Sequence, residues 1–489
     1  MKRLRLPFPA AAGASMVISA QGAQIAAVRA ASVALPPTRT SCTPALTRVA
    51  VALGAVLLAG CASLSDDRGL NEVSTLTQSR VGQAVQFNQQ PDAARVEQLL
   101  AQPLTADAAV QLALLNNPSL KASFAELGVA EADFVQAGRL RNPSFSFSRV
   151  RGGGETEIDR GVMFDLAGLL TLPARTRIEK GRYEQAKLLA ASQAVQLAAD
   201  TRRAYFMAVA AAQSAAFAEQ VRGAAEAGAQ LAERMSKAGN WSKLDEARER
   251  AFCQDAITQL KRTQHEATAS RERLIRLLGL QGTEQKLALP DRLPELPAQP
   301  RDMQDAEATA LSQRLDVLMA RRDSEATASA LGLTKATAFV NVLDAGYANK
   351  STTGLPRENG YEVALELPIF DWGGAKVARA EALYMQSVHR TANVAVRARS
   401  EVREAYSAYR STYDIARHYR DEVVPLRKKI SDEVLLRYNG MLASVFELLA
   451  DSREQLNSVN TAIETQRDFW IADTTLQHAV HGGSGNTKD

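Results

Sequence analysis

The sequence predicts a mainly α-helical chain with a small β part, on three observations. Aromatic residues are only 6% of the composition and alanine takes their place; alanine has the strongest helix propensity and lets helices approach closely. The chain reads as two copies of one unit of about 200 residues, a repeat architecture rather than a set of unrelated domains. Each copy carries helical patterns longer than a globular core can use, interrupted by a segment of period two.

The composition bounds the rest. In 489 residues, 46% hydrophobic and 23% charged is ordinary for a folded chain, and three cysteines cannot staple one of this size. Disorder, collagen and a disulfide scaffold are excluded. With 58 basic and 54 acidic residues the net charge is +4, and no Lys/Arg run concentrates it, so no nucleic-acid partner is expected.

The first strongly apolar stretch, Val49 to Leu58, follows Arg48 and precedes Ala59, Gly60 and Cys61. It falls well short of the roughly 20 residues that span a bilayer as a helix. A basic residue, a short apolar run and small residues describe a secretory leader, here residues 1–60. Leu58-Ala59-Gly60-Cys61 resembles a bacterial lipobox, which implies a covalent lipid, palmitate included, on Cys61 as the first mature residue. Ala62 follows it, with no aspartate to suggest retention at the inner membrane. Past Cys61 no apolar run reaches spanning length, which leaves a β-barrel open, because its strands need only about 9 to 11 alternating residues. Cys253 lies in a helical pattern and reads as a packed cysteine.

The duplication is visible residue by residue. Ala113-Leu114 matches Ala310-Leu311, Ala204-Tyr205 matches Ala405-Tyr406, Gly239 matches Gly440 and Glu246 matches Glu447. The predicted organisation is an N-terminal lipidated extension 61–104, a first repeat 105–289, a connector 290–303 and a second repeat 304–478. Pro290, Pro294, Pro297 and Pro300 make the connector extended, and 479–489 reads as a disordered tail.

Both copies follow one itinerary. Asn117 and Pro118 form an N-cap and N1 pair opening a helix to about Gly138. A β-hairpin over 142–170 follows, in which Phe145 and Phe147 alternate with serines, and Val162, Phe164 and Leu166 with Met163, Asp165 and Ala167, around a loop at 151–160. The second hairpin, 338–370, ends in the clearest alternation, Tyr361, Val363, Leu365, Leu367 and Ile369 against Glu362, Ala364, Glu366 and Pro368. Helical patterns over 178–236 and 375–437 are about 88 and 94 Å long, and each matches two shorter helices set end to end. Every repeat therefore reads as one long strut beside one composite strut, with a hairpin at one end. Pro425 predicts a kink or local unwinding in the second long helix.

This layout resembles the TolC-type outer-membrane efflux family over about residues 105–478. The likeness is carried by the Ala-Leu-x-x-Asn-Pro-x-Leu pattern at Ala113–Leu120, by Leu367-Pro368-Ile369-Phe370-Asp371-Trp372-Gly373-Gly374, and by Arg437-Tyr438-Asn439-Gly440-Met441-Leu442. The resemblance implies a homotrimer in the outer membrane of a Gram-negative bacterium. Its four strands per chain make one 12-stranded trans-subunit β-barrel above a long α-helical coiled-coil barrel. It also implies two further partners, a periplasmic adaptor and an inner-membrane pump of the RND type, and a passive duct for small toxic solutes such as metal ions or drugs.

Physics points the same way. Two hairpins cannot close a barrel, and open edges are not tolerated in lipid, so other copies must complete it. Phe145, Phe147, Val162, Phe164, Val363 and Leu365 are the expected lipid-facing residues, with Ser146, Asp165, Glu362 and Glu366 lining the lumen. At the far end Gly239, Asn240 and Trp241, and Asn439, Gly440, Met441 and Leu442, reverse the chain with glycine; by resemblance these tips meet the adaptor. Glu447 and Asp451 share a helix face just past the second tip, an acidic ring under threefold symmetry, with Arg250 aligned to Asp451 as its partner. By resemblance this is a charged periplasmic aperture.

No phosphate loop, His-Glu-x-x-His, Cys-x-x-Cys or nucleophile elbow is present, so no enzyme is expected, and the scattered histidines suggest no metal site or cofactor beyond the lipid. Two rival readings remain: the exit channel of a type I protein secretion system, and a lipid-anchored coiled-coil envelope protein with no pore. Alternating strands with phenylalanines on one face have no use in the latter.

Overall fold

The structure, a computed structural model, describes residues 64–84, 93–282, 286–303, 305–339 and 342–483. The predicted leader and Cys61 lie outside these residues. The described chain belongs to one compact unit, Cys61–Asp489.

The segment after Cys61 is docked on the repeats. Helix α1 (Leu70–Val81) packs Val73 beneath Leu127 and Tyr183. Ser65 donates from its amide (2.8 Å) and hydroxyl (2.5 Å) to the Glu131 carboxylate. The buried Lys187 ammonium bonds Glu72 and Glu184 and sits 4.9 Å above the Tyr183 ring. Helix α2 (Ala93–Leu100) delivers Val96, Leu100 and the following Leu104 to the main core.

The first repeat runs α3 (Ala106–Asn116), α4 (Pro118–Ala137), β1 (Ser144–Gly152), β2 (Glu155–Asp165), α5 (Leu166–Lys237) and α6 (Lys243–Leu278). The second runs α7 (Ala306–Gln313), α8 (Leu315–Ala336), β3 (Leu343–Thr352), β4 (Glu358–Leu365), α9 (Gly374–His418), a π-helical turn Tyr419–Val423, α10 (Val424–Asn439) and α11 (Val445–His481). At 72 residues, α5 is about 108 Å long, against about 100 Å for α3, α4 and α6 together. Long and composite struts therefore match in the first repeat.

Three boundaries differ from the sequence reading. The first hairpin has no loop at 151–160. Both strands run on to a tight turn at Gly153-Gly154, each with positive φ, as a two-residue hairpin requires. The hairpin ends at Asp165, not near 170, because the Asp165 carboxylate accepts from the Gly168 amide at 2.5 Å and caps α5. The long helix so begins twelve residues before position 178 and contains Pro173. In the second hairpin the strands occupy 343–365 rather than 338–370. Pro368 has no N–H for a ladder, and an irregular passage to Gly373 precedes α9.

The unwinding expected at Pro425 takes the form of the π turn, whose Val424 amide reaches back five residues to the Tyr419 carbonyl. The C-terminal segment is ordered further than the sequence suggested. Helix α11 extends to His481, with Ala479 and Val480 buried, and burial pushes the His478 imidazole down to about 4.

The core is a belt around the struts rather than a centre. Leu112, Ala113, Leu115, Tyr205, Phe206, Val209, Leu274 and Leu278 form one cluster; Val402, Ala405, Tyr409, Tyr413, Phe469 and Leu476 form its counterpart. Trp470 joins them, stacked on Phe206 at 5.3 Å and against Phe469 at 5.1 Å. The proline-rich connector is an extended strap across this belt. Leu293 and Leu296 are buried, Trp470 Nε1 donates to the Pro294 carbonyl (3.0 Å), and the Tyr413 hydroxyl donates to Pro297 and Ala298.

At this level the repeats make one bond with two residue types. Asn117 caps α4, accepting from the Ser119 and Leu120 amides, and its Nδ2 donates to the Leu277 carbonyl at 2.9 Å. The equivalent residue is Arg314, fully buried at the N-cap of α8. It donates to the Ala479 carbonyl at 3.1 Å, pairs with Asp316 at 2.9 Å and bonds Glu401.

Candidate functional site

The four strands form one antiparallel sheet, β1-β2-β3-β4, with one-to-one register and no bulge. Paired residues share a face. Phe145 lies beside Val162, Val162 beside Tyr347, and Tyr347 beside Tyr361; Phe164, Ala345 and Val363 make the adjoining row, and Leu343 and Leu365 the next. All six residues predicted to face lipid therefore lie on a single face. Ser146, Asp165 and Glu362 lie on the opposite face, and Glu366, just past β4, keeps its parity while its amide still bonds the Val342 carbonyl. Asp165 is not a free lumen side chain, since it caps α5 and pairs with Arg141 at 3.6 Å.

The two faces differ in shape as well as polarity. The polar face carries Gly161, Gly346 and Gly360, and at Gly346 a Cβ would collide with Met163 and the Val162 carbonyl. The sheet is crowded toward this face at Gly161 and Gly346. The apolar face is open: Phe145, Phe147, Phe164, Tyr361 and Val363 are all more than half exposed. From Tyr361 to Leu365 strand β4 rises about 13 Å. Exposed Leu367, Ile369, Phe370 and Trp372 continue the apolar surface toward the helices, approaching the ~25 Å band of an outer-membrane barrel. At the other margin the Tyr347 hydroxyl donates to Asn359 Oδ1 at 2.7 Å, where apolar rows give way to polar ones. Strands β1 and β4 have no partner on their outer edges among the described residues.

The far ends of the struts are two helical turns closed alike. At the first, the Gly239 and Asn240 amides donate to the Ser236 (3.0 Å) and Met235 (2.9 Å) carbonyls; at the second, Met441 and Leu442 donate to Tyr438 (3.0 Å) and Arg437 (2.8 Å). Both are Schellman closures. The left-handed position is Gly239 in one (φ 76) but Met441 in the other (φ 58), not Gly440. The repeats are thus related at the tips by 202 residues, one more than the glycine match suggested. Ser242 and Ser444 occupy equivalent N-caps, accepting from the Asp245 and Glu447 amides at 3.1 Å.

That register changes the aperture candidates. Glu447 is the counterpart of Asp245, exposed in the first turn of α11. Arg250 is exposed and forms no ion pair with Asp451; Glu249 is the residue that aligns with Asp451. The ion pair that joins the tips is Glu249 with Arg453, at 2.5 Å, beneath which the Phe252 ring lies 4.1 Å from the guanidinium carbon. Asp451 has a buried carboxylate oxygen with no partner among the described residues. The sequence held one signal for this, the Ser-x-x-acid caps spaced by 202.

Around the second tip, Leu426, Leu435, Leu436, Met441, Leu442 and Phe446 are exposed, and neither α10 nor the π turn has a buried residue in the single chain. Among the described residues no helix is long and apolar enough to cross a membrane, and no cluster of metal-ligating side chains occurs.

No family model and no curated protein matches the chain. Solved structures do. The Campylobacter jejuni CmeC outer membrane channel superposes with a TM-score of 0.67 at 17% identity, over 78% of this chain and 87% of that one. The Vibrio cholerae outer membrane protein VceC gives 0.63 at 18%, over 78% and 96%. CusC, solved in a study of folding and transmembrane channel formation, gives 0.63 at 19%, over 77% and 92%. With its duplicated struts and four-stranded sheet, the chain has the TolC-type outer-membrane channel fold.

Proposed function

We propose that the chain is one subunit of a homotrimeric exit duct in the outer membrane, serving a tripartite efflux complex without catalysing a reaction itself. The observation that carries this reading is the two-faced sheet with open edges at the end of struts about 100 Å long. Three copies joined β1 to β4 close a 12-stranded barrel, the apolar rows then meet lipid and the acidic face lines water. The helices hang below as a periplasmic tube, and the apolar second tip, with Gly239, Asn240 and Trp241 beside it, is the surface for the periplasmic adaptor and a pump of the RND type. Asp451 and Glu447, repeated by the threefold axis, are the constriction candidates. The cargo is small toxic solutes, metal ions or drugs.

A lipid on Cys61 fits the geometry of the docked extension. Ser65 is held by Glu131, only six residues before the end of α4 and hence about 9 Å below it. The four residues from Cys61 to Ser65 span at most about 14 Å, enough to bring the acyl chains to the inner leaflet beside the barrel.

The test is extraction and reconstitution. A heat-modifiable trimer in detergent that conducts ions across planar bilayers is expected. Monomers released without detergent, or trimers that do not conduct, would refute the duct.

A further inference from the structure

We propose that the outer margin of the sheet's apolar face binds the phosphate groups of outer-leaflet glycolipid. The proposal rests on the reading that this face meets lipid.

The observation is a sorting of charge by sign. Every acidic residue of the four strands lies on the polar face: Glu155, Glu157, Asp159, Asp165, Asp344, Glu358 and Glu362. Every strand arginine, Arg149, Arg151 and Arg160, lies on the apolar face, which has no carboxylate. The single strand lysine, Lys350, is on the acidic face and paired there with Glu157. Arg357, immediately before β4, keeps the parity of the apolar face.

Position gives the sorting a meaning. Arg160 sits in the row of Phe147 and donates to Asn349 Oδ1 at 3.2 Å, while Arg149 and Arg151 follow one and two rows further toward the Gly153-Gly154 turn. The hairpin turns are the end of the sheet away from the helices. The arginines therefore stand just beyond the apolar band, at the height of the outer headgroups. Arg149, Arg151 and Arg357 are exposed and have neither a hydrogen bond nor an ion pair among the described residues.

A merely solvated rim would accept either sign of charge. A rim of arginines, with all the acids turned away, is uncompensated within the chain and complementary to a dense layer of phosphomonoesters. The guanidinium fork matches a phosphate bidentately. Arg149 and Arg357 lie on or beside opposite edge strands, so barrel closure sets those of neighbouring copies side by side and makes a continuous belt.

The test uses the full-length trimer in phosphatidylcholine nanodiscs, with or without bisphosphorylated lipid A, followed by native mass spectrometry of retained lipid. Retention of lipid A is expected to fall on the order of a hundredfold in the combined Arg149→Gln, Arg151→Gln, Arg357→Gln chain, and similarly when dephosphorylated lipid A is offered to the unaltered one. Equal retention in either comparison overturns the site. So does displacement by millimolar inorganic phosphate, which would mark a free-anion site. Brominated phosphatidylcholine separates the two readings, because Trp372 lies at the barrel base while Trp241 and Trp470 lie far down the helices. Quenching without lipid A preference removes the arginine site alone; no quenching removes the lipid-facing reading and the site with it.

Discussion

At the scale of single residues, the most consequential side chain is one the sequence hides. Asn117 was legible because asparagine before proline is a helix-start signal. Arg314 does the same work in the second repeat, yet an arginine in a polar stretch reads as surface. Only the fold shows it at 0% exposure between Asp316, Glu401 and the Ala479 carbonyl. Removing one partner of a fully buried pair costs about 3–5 kcal/mol; the Asp316 and Glu401 carboxylates are partly exposed, so the cost here is smaller. Arg314→Met is expected to lower the thermal midpoint of the helical circular-dichroism signal by several degrees, with Arg314→Lys between it and the native chain. An unchanged midpoint in the methionine variant would contradict this role. The same limit explains the missed Glu249–Arg453 pair. Spacing along the chain locates helix faces, but an alignment offset wrong by one residue moves a partner by 100° around a helix.

Among the elements, what the sequence revealed depended on whether burial imposed a period. The apolar residues alternate with polar ones, so Phe145, Val162 and Val363 could be placed on one common face, as the register has them. Beyond Phe147 both faces of the hairpin are mostly polar, the period weakens, and residues 151–160, strand and turn together, were read as a loop. The helix start at Leu166 was invisible for a different reason: Asp165 satisfies both a strand alternation and an N-cap, and only the capped Gly168 amide decides between them. At the tips the match of Gly239 to Gly440 suggested that glycine turned the chain twice, but Met441 holds the left-handed position. An L residue there is strained by about 1–2 kcal/mol, partly offset by the unfolded-state entropy that glycine would add. Met441→Gly is expected to stabilise the turn by roughly 0.5–1 kcal/mol, slowing hydrogen exchange of the Leu442 amide roughly two- to fivefold. Exchange that is unchanged or faster would show that Met441 is not strained.

For the whole molecule, matched struts and a two-faced sheet are one design. A sheet with an acidic, glycine-lined face and an apolar, open face is unstable alone in either water or lipid, and the proposed closure with other copies would satisfy both. The duplication and the pairing of a long with a composite strut were legible because long helical periods are robust to local error, although the first long helix starts twelve residues before its pattern. The prolines announced the connector's extension but not its attachment, because its hydrogen bonds to Trp470 and Tyr413 depend on residues more than a hundred positions away. In the proposed duct, β4 lies in a barrel wall with lipid on one side and water on the other. The direct measurement is site-directed spin labelling at each position from Tyr361 to Glu366 in reconstituted trimers carrying Cys253→Ala. Labels at 361, 363 and 365 should be relaxed by oxygen dissolved in the bilayer, and those at 362, 364 and 366 by a water-soluble nickel chelate. Uniform access along the strand, or the opposite alternation, would contradict the account.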